Sequence, residues 1–196
     1  MTTIRVVKVG GSLFGYEQLP DRGQAWLAEQ TPALTIFIGG GGTLVEPLRA
    51  AHERFGLDQA ASHWLAVRAM TVTSRLLARL LNVELVERFE VIEQLIREGR
   101  EIACVLDCEE FLRYREATCR GTPLTQDWSC TSDSIAARVA EVVGADELVL
   151  MKSVSQPAAA SADQPFAEAA AAGLVDPHFP HAARSLKQIC WVNLRE

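Results

Sequence analysis

Two glycine turns, each following a short apolar run, constrain this chain more than any other feature: Val6-Val7-Lys8-Val9-Gly10-Gly11-Ser12 and Thr35-Ile36-Phe37-Ile38-Gly39-Gly40-Gly41-Gly42. Turns without Cβ atoms let backbone N–H groups approach anionic oxygens, and a helix starting just after such a turn adds the positive end of its dipole. Lys8 stands just before the first turn, where its ammonium can reach the same oxygens. Neither turn matches G-x-x-x-x-G-K-[ST] or a clean G-x-G-x-x-G, so the familiar nucleotide fingerprints are absent. A tight turn alone also explains a glycine run; two turns and a lysine together read as a phosphate cradle.

The rest of the chain alternates between two periodicities. Residues 4–9, 34–38, 102–106, 148–151 and 189–192 are short apolar runs rich in β-branched side chains, the pattern of strands covered on both faces. Between them, residues 21–29, 44–55, 59–81, 89–98 and 132–143 are amphipathic and predict helices. This alternation predicts an α/β fold, a three-layer α/β/α sandwich around a mostly parallel central sheet, with ligands at the carboxyl ends of the strands. Both glycine turns fall at that edge. The alanine-rich stretch 157–172 predicts an exposed loop over 155–164 followed by a short helix.

Composition narrows the function. The 196 residues, 48% hydrophobic, suffice for one full core and predict a single domain over 1–196. A net charge of -6 without a basic block argues against nucleic acid, so a phosphate site has to be local. The five cysteines are odd in number and lack C-x-x-C pairs, which fits reduced thiols and no zinc site. With no long apolar stretch, the expectation is a cytoplasmic protein free of the membrane.

The segment Trp128-Ser129-Cys130-Thr131-Ser132-Asp133-Ser134-Ile135 opens a predicted helix. Thr131 or Ser132 suits the cap, and Asp133 in the first turn suits the dipole. The alternative is that Asp133 faces the cradle and fixes a lysine ammonium; spacing leaves both open. His63 reads as a helix histidine packed beside Trp64.

Taken with Leu148-Val149-Leu150-Met151-Lys152-Ser153-Val154, these motifs resemble the amino-acid kinase family in order and over most of the chain. Ser62-His63-Trp64-Leu65-Ala66-Val67-Arg68-Ala69-Met70 and Leu174-Val175-Asp176-Pro177-His178-Phe179-Pro180 are similar to a short branch, the aminomethylfuran phosphate kinase of methanofuran biosynthesis. The resemblance implies transfer of the ATP γ-phosphoryl group to a carboxylate, carbamate or phosphate oxygen, with Mg²⁺ held mainly by the ATP phosphates and water. It implies catalytic roles for Lys8, Asp133 and Lys152, and nucleotide-phosphate contacts from Lys8, Gly10, Gly11, Ser12, Lys152 and Ser153. It places Gly40, Gly41, Gly42, His63, Arg68 and Ser132 at the acceptor, with His52 competing for the role of His63. For the family's second lysine, Lys152, His181, Arg184 and Lys187 all stand as candidates. Ser155-Gln156-Pro157 departs from the Asp-Gly that relatives carry beside adenosine. The favoured expectation is a kinase for a phosphate-monoester small molecule; a carboxylate kinase and a non-catalytic nucleotide or oxyanion binder are the alternatives. A homo-oligomer is expected through the apolar-rich segment 59–81.

Overall fold

Strands covered on both faces have to be buried along their whole length, and the first two apolar runs are. In the computed structural model, which describes residues 2–157 and 166–196, every residue of β1 (Ile4–Val9) and β2 (Leu34–Gly39) is buried. They join β3 (Glu84–Val86), β4 (Ala103–Leu106), β5 (Glu147–Lys152) and β6 (Ile189–Asn193) in one sheet. The strand order is β3-β4-β2-β1-β5-β6, and all five neighbouring pairs are parallel.

The period of two along each strand sends alternate side chains to two cores. Val6, Ile36, Leu148 and Leu150 pack with Ile135 and Val139 of α6 (Ser132–Val143). Val7, Val9, Phe37, Val149 and Met151 pack with Leu19 of α1 (Leu19–Ala28) and Leu77 and Leu81 of α3 (Gln59–Leu81). Each fully buried Val, Leu or Ile adds about 1.5–3 kcal/mol of hydrophobic stabilisation. The long α3 serves both cores, with Val67 and Met70 on the α6 side of the sheet. α2 (Glu46–Phe55) precedes it, and α4 (Phe89–Arg97) and α5 (Glu109–Tyr114) flank β4. The three-layer α/β/α arrangement is the one the alternating periodicities predict.

The structure adds elements the sequence pattern hides. β3 is three residues at the sheet edge, with Glu84 exposed, too short for a periodic signal. α5, of six residues, and α8 (Phe179–Ala182), of four, are also too short for a periodic signal. The first glycine turn does not open directly into an α-helix, and the helix expected over 21–29 is α1. A 3-10 turn at Gly11–Gly15 intervenes, and α1 starts only at Leu19, where Pro20 fixes the first helical turn. The second turn passes through a 3-10 turn at Gly42–Val45 straight into α2. Of the expected loop over 155–164, residues 158–164 lie outside the described residues; beyond them comes α7 (Ala167–Ala171). No helix among the described residues is long and apolar enough to cross a membrane.

Candidate functional site

β1 lies between β2 and β5, and the chain builds the β2 side of the sheet before crossing to β5. That reversal opens a crevice at the carboxyl ends of β1 and β5, the position where open parallel sheets bind ligands. Lys8 follows Val6 by two residues, and Lys152 follows Leu150 by two. Strand alternation therefore aims both lysines at the face covered by α6, where Asp133 sits in the first helical turn. Lys8 Nζ lies 2.9 Å and Lys152 Nζ 2.7 Å from the same oxygen, Asp133 Oδ1. All three side chains are less than one-tenth exposed.

Two ammonium groups on one carboxylate set the electrostatics. Burial alone would push the Asp133 carboxyl up; the charges of Lys8 and Lys152 more than reverse this and hold it below the usual carboxylate range. Burial and the neighbouring Lys8 charge bring Lys152 down to about 7, against the opposing pull of Asp133. Lys152 also donates to the Leu174 carbonyl at 2.6 Å and stands 5.6 Å from the centre of the Trp191 ring. Of the two readings of Asp133, the geometry is that of the lysine-fixing one. His181 and Arg184 line a different cavity on the far side of α6, and Lys187 pairs with Asp146 on the surface. Lys152 is thus the second lysine candidate that reaches Lys8.

The two glycine turns meet back to back beside this triad. A Cβ on Gly11 would stand 2.7 Å from Gly42 N and 2.8 Å from Gly42 Cα, so no side chain fits between the turns. Gly42 itself has φ +59, the left-handed region that favours glycine. Ser132 Oγ comes within 3.1 Å of where a Cβ on Gly40 would lie, which sets Gly40, Gly41 and Gly42 against the start of α6. Ser12 Oγ and Ser153 Oγ share a hydrogen bond of 2.9 Å across the mouth between β1 and β5.

The expected cap at Thr131 or Ser132 is replaced by one from a distant segment. Neither side chain bonds the first turn of α6. Instead Asp176 Oδ2 accepts from the Thr131 and Ser134 N–H groups at 3.1 and 3.0 Å, and from Thr131 Oγ1 at 3.0 Å; its Oδ1 accepts from the Ser134 hydroxyl. A carboxylate at a helix N-terminus suits the dipole, and here it comes from the Leu174-Val175-Asp176-Pro177 segment. Ser132 is left facing the glycine turn, and Asp133 is left to the lysines.

A cavity of about 150 Å³ opens from Gly41 and Gly42 between α2, α3 and the start of α6. Its walls include Val67, Met70 and Ile135, with Ser132, Thr131, His63 and Arg49 as polar members and the carboxylates of Glu46 and Asp127 beside them. His63 is 5% exposed, and burial pushes its pKa below the usual value despite hydrogen bonding to the backbone of Asp127 and Cys130. Its ring also stacks edge-on with Trp64 at 5.5 Å, which is the packed helix histidine of the first reading. His52 instead shares a hydrogen bond of 2.8 Å with Ser62 Oγ.

Arg68 requires a correction. Its side chain is 68% exposed and pairs with Glu109 at 3.3 Å, outside the cavity walls. The five-residue step from His63 to Arg68 rotates α3 by about 140°, so the two side chains leave on different faces. The guanidinium at the cavity is that of Arg49, 4.4 Å above the Trp128 ring. Arg49 and Trp128 are the residues that sequence reasoning missed. Their only signal is the pairing itself, which joins α2 to a loop remote in sequence. Cys130 lines the same cavity, but burial pushes its thiol well up, as it does those of Cys104 and Cys108. Such thiols are poor nucleophiles.

Comparison with known proteins agrees with this architecture. No family model and no curated protein matches the chain. Among solved structures it is similar to the uridylate kinase from Archaeoglobus fulgidus, at 17% identity and a TM-score of 0.61, over 100% of this chain and 92% of that one. It is also similar to the UMP kinase from Ureaplasma parvum, at 12% identity and a TM-score of 0.65, over 100% of this chain and 92% of that one. The UMP kinase from Bacillus anthracis matches at 12% identity and a TM-score of 0.64, over 100% of this chain and 88% of that one. The chain therefore has the fold of these kinases along its whole length.

Proposed function

We propose that the protein is a small-molecule kinase of the amino-acid kinase type, which transfers the ATP γ-phosphoryl group to an oxygen of a phosphate monoester. The observation that carries this reading is the convergence of Lys8 and Lys152 on Asp133 beside the paired glycine turns. In the proposed step the acceptor oxygen forms a bond to the γ-phosphorus while the bond to the bridging β–γ oxygen breaks, and ADP leaves. Charge on the three peripheral oxygens is met by the two ammonium groups and by the Gly10 and Gly11 turn. Catalysis of this kind is positioning and electrostatic stabilisation, with little covalent work for the protein.

Asp133 bears on the acceptor. Two ammonium groups hold its carboxyl low, so it is a poor proton acceptor and acts by fixing the lysines. An acceptor that arrives already anionic needs no base, which suits a phosphate or a carboxylate better than a neutral hydroxyl. The cavity beside Gly41 and Gly42, with Arg49, His63 and Ser132, is the proposed acceptor end. The likeness of residues 62–70 and 174–180 to the aminomethylfuran phosphate kinase favours the phosphate monoester and a place in methanofuran-type cofactor synthesis.

Mg²⁺ would come with ATP, neutralising phosphate charge. Among the described residues no three His, Cys, Asp or Glu side chains cluster as a cage, so the ATP phosphates and water would supply the ligands. The test is ADP release by the purified protein with Mg²⁺-ATP and a panel of phosphate monoesters and amino acids. Release on a monoester supports the reading; release only on an amino acid supports the carboxylate kinase. ATP binding without turnover on any acceptor supports the binding protein.

A further inference from the structure

The short segment 174–178 grips the Lys152–Asp133 pair from both ends. On one side the Leu174 carbonyl accepts from Lys152 Nζ at 2.6 Å. On the other, Asp176 accepts from the backbone N–H groups and hydroxyls of Thr131 and Ser134, the residues that bracket Ser132 and Asp133 in the first turn of α6. The segment is itself set in the core: Val175 and Phe179 are buried to either side of Asp176, and the Phe179 ring meets Phe166 edge-on at 5.1 Å. Asp176 is 7% exposed and forms no ion pair among the described residues. A buried carboxylate without a counter-ion is costly unless hydrogen bonds hold it. Here every one of those bonds is spent on the turn that carries Asp133.

We propose that Asp176 is a positioning residue of the transfer site: by tying residues 174–176 to the first turn of α6, it keeps the Asp133 carboxylate and the Leu174 carbonyl together on the Lys152 ammonium. The proposal rests on the reading that Lys152 and Asp133 serve phosphoryl transfer. An ammonium carries three N–H donors. Asp133 Oδ1 at 2.7 Å and the Leu174 carbonyl at 2.6 Å take two, which fixes the direction of the third as well. Lys152 is faced by Lys8 from β1, Asp133 from α6, the Leu174 carbonyl and the Trp191 ring from β6. Asp133 is the anion among them, and its pull holds the Lys152 proton against burial and the charge of Lys8. Loosening the turn that carries Asp133 therefore makes Lys152 give up its proton at lower pH. A cap that served the helix alone would leave that titration where it is.

The experiment reads Lys152 directly, without ATP or acceptor. Lys8, Lys152 and Lys187 are the lysines of the chain, so carbon-13 labelling of lysine side chains gives a separable set of NMR titrations, recorded for the wild type, Asp176→Asn and Ser134→Ala alongside melting curves. In the wild type Lys152 is expected to titrate at about 7. Asp176→Asn turns charge-assisted bonds into weaker neutral ones, and the Lys152 midpoint should fall by about half a pH unit or more while that of the exposed Lys187 stays. Ser134→Ala removes one hydroxyl bond to Asp176 and alters no charge, so a fall in the same direction there is geometric in origin. Should Asp176→Asn fail to fold, Ser134→Ala decides alone. A lowered melting temperature with the Lys152 midpoint unmoved or raised, in each variant that folds, makes Asp176 a cap only and overturns the proposal. A lowered midpoint, with no ADP release by the wild type on any acceptor, would keep the positioning role and remove the kinase reading alone.

Discussion

Lys152 Nζ and Asp133 Oδ1 lie 2.7 Å apart, and the same oxygen holds Lys8 at 2.9 Å. One carboxylate therefore balances two buried ammonium groups, and one positive charge is left over whenever both lysines are protonated. That surplus is available to an incoming anion. It also explains why Lys152, and not Asp133, is the group brought into the neutral range, to about 7.

Lys8→Ala is expected to lower turnover about a hundredfold or more, since a fixed charge at a transferring group is worth several kcal/mol. Asp133 keeps Lys152 as its partner, so the melting temperature should move little. A second signature is expected in the pH profile. In the free protein Lys152 loses its proton near pH 7, so kcat/KM should fall as pH rises through that value. Removing Lys8 removes the like charge that depresses Lys152, and the falling limb should move to higher pH. Normal turnover, or an unmoved limb, would take both lysines out of the proposed roles.

Asp133→Asn is expected to cost both activity and stability, because Asp176 caps α6 and Asp133 serves as a buried counter-ion. The loss should depend on pH. Lys152 has a folded pKa depressed from 10.5 to about 7, so between those values the unfolded chain binds the extra proton and wild-type stability rises with pH. Without Asp133 the pull that raises the Lys152 pKa is gone, so at pH 6 the folded variant has to keep an unpaired buried ammonium or give up its proton, at a cost of about 3 kcal/mol or more. At pH 9 Lys152 is neutral and the cost shrinks. Melting of both proteins at the two pH values measures this; an equal destabilisation at each would refute it.

The fold was legible because its periodicities are strong. Val6, Ile36 and Leu148 belong to runs that are apolar on both faces, and Gln59–Leu81 is helical over the span the pattern predicts. Lys8, Asp133 and Lys152 were legible as single residues at the ends of such elements. What the sequence withheld are contacts between elements. Asp176 replaces Thr131 as the cap, and Arg49 replaces Arg68 as the guanidinium at the cavity. Neither exchange leaves a local trace, since each depends on two segments whose distance in space only the packing fixes.

On α3, Leu65, Val72 and Leu76 are 41%, 56% and 45% exposed, and their spacing sets them along one side of the helix. We propose that this stripe is the contact through which the expected homo-oligomer forms. Light scattering at micromolar concentration should give at least a dimer, and Val72→Glu should give a monomer with an unchanged circular dichroism spectrum. A monomeric wild type would refute the assembly.

The acceptor end offers a paired test of where the second cation lies. Arg49 stands at the cavity, whereas Arg68 is engaged with Glu109 outside it. If the acceptor carries a phosphate, a guanidinium in the cavity supplies charge-assisted hydrogen bonds that surface attraction in a chain of net charge -6 cannot replace. Arg49→Ala is therefore expected to raise the acceptor KM tenfold or more and leave the KM for ATP nearly unchanged. Arg68→Ala should alter neither. His63→Ala should raise the acceptor KM as well, but a gain from protonating His63 should appear only below its usual pKa of 6.5, because burial depresses it. Steady-state kinetics of the three variants between pH 5 and 8 decide the matter. A large acceptor effect in Arg68→Ala with none in Arg49→Ala would move the site off this cavity.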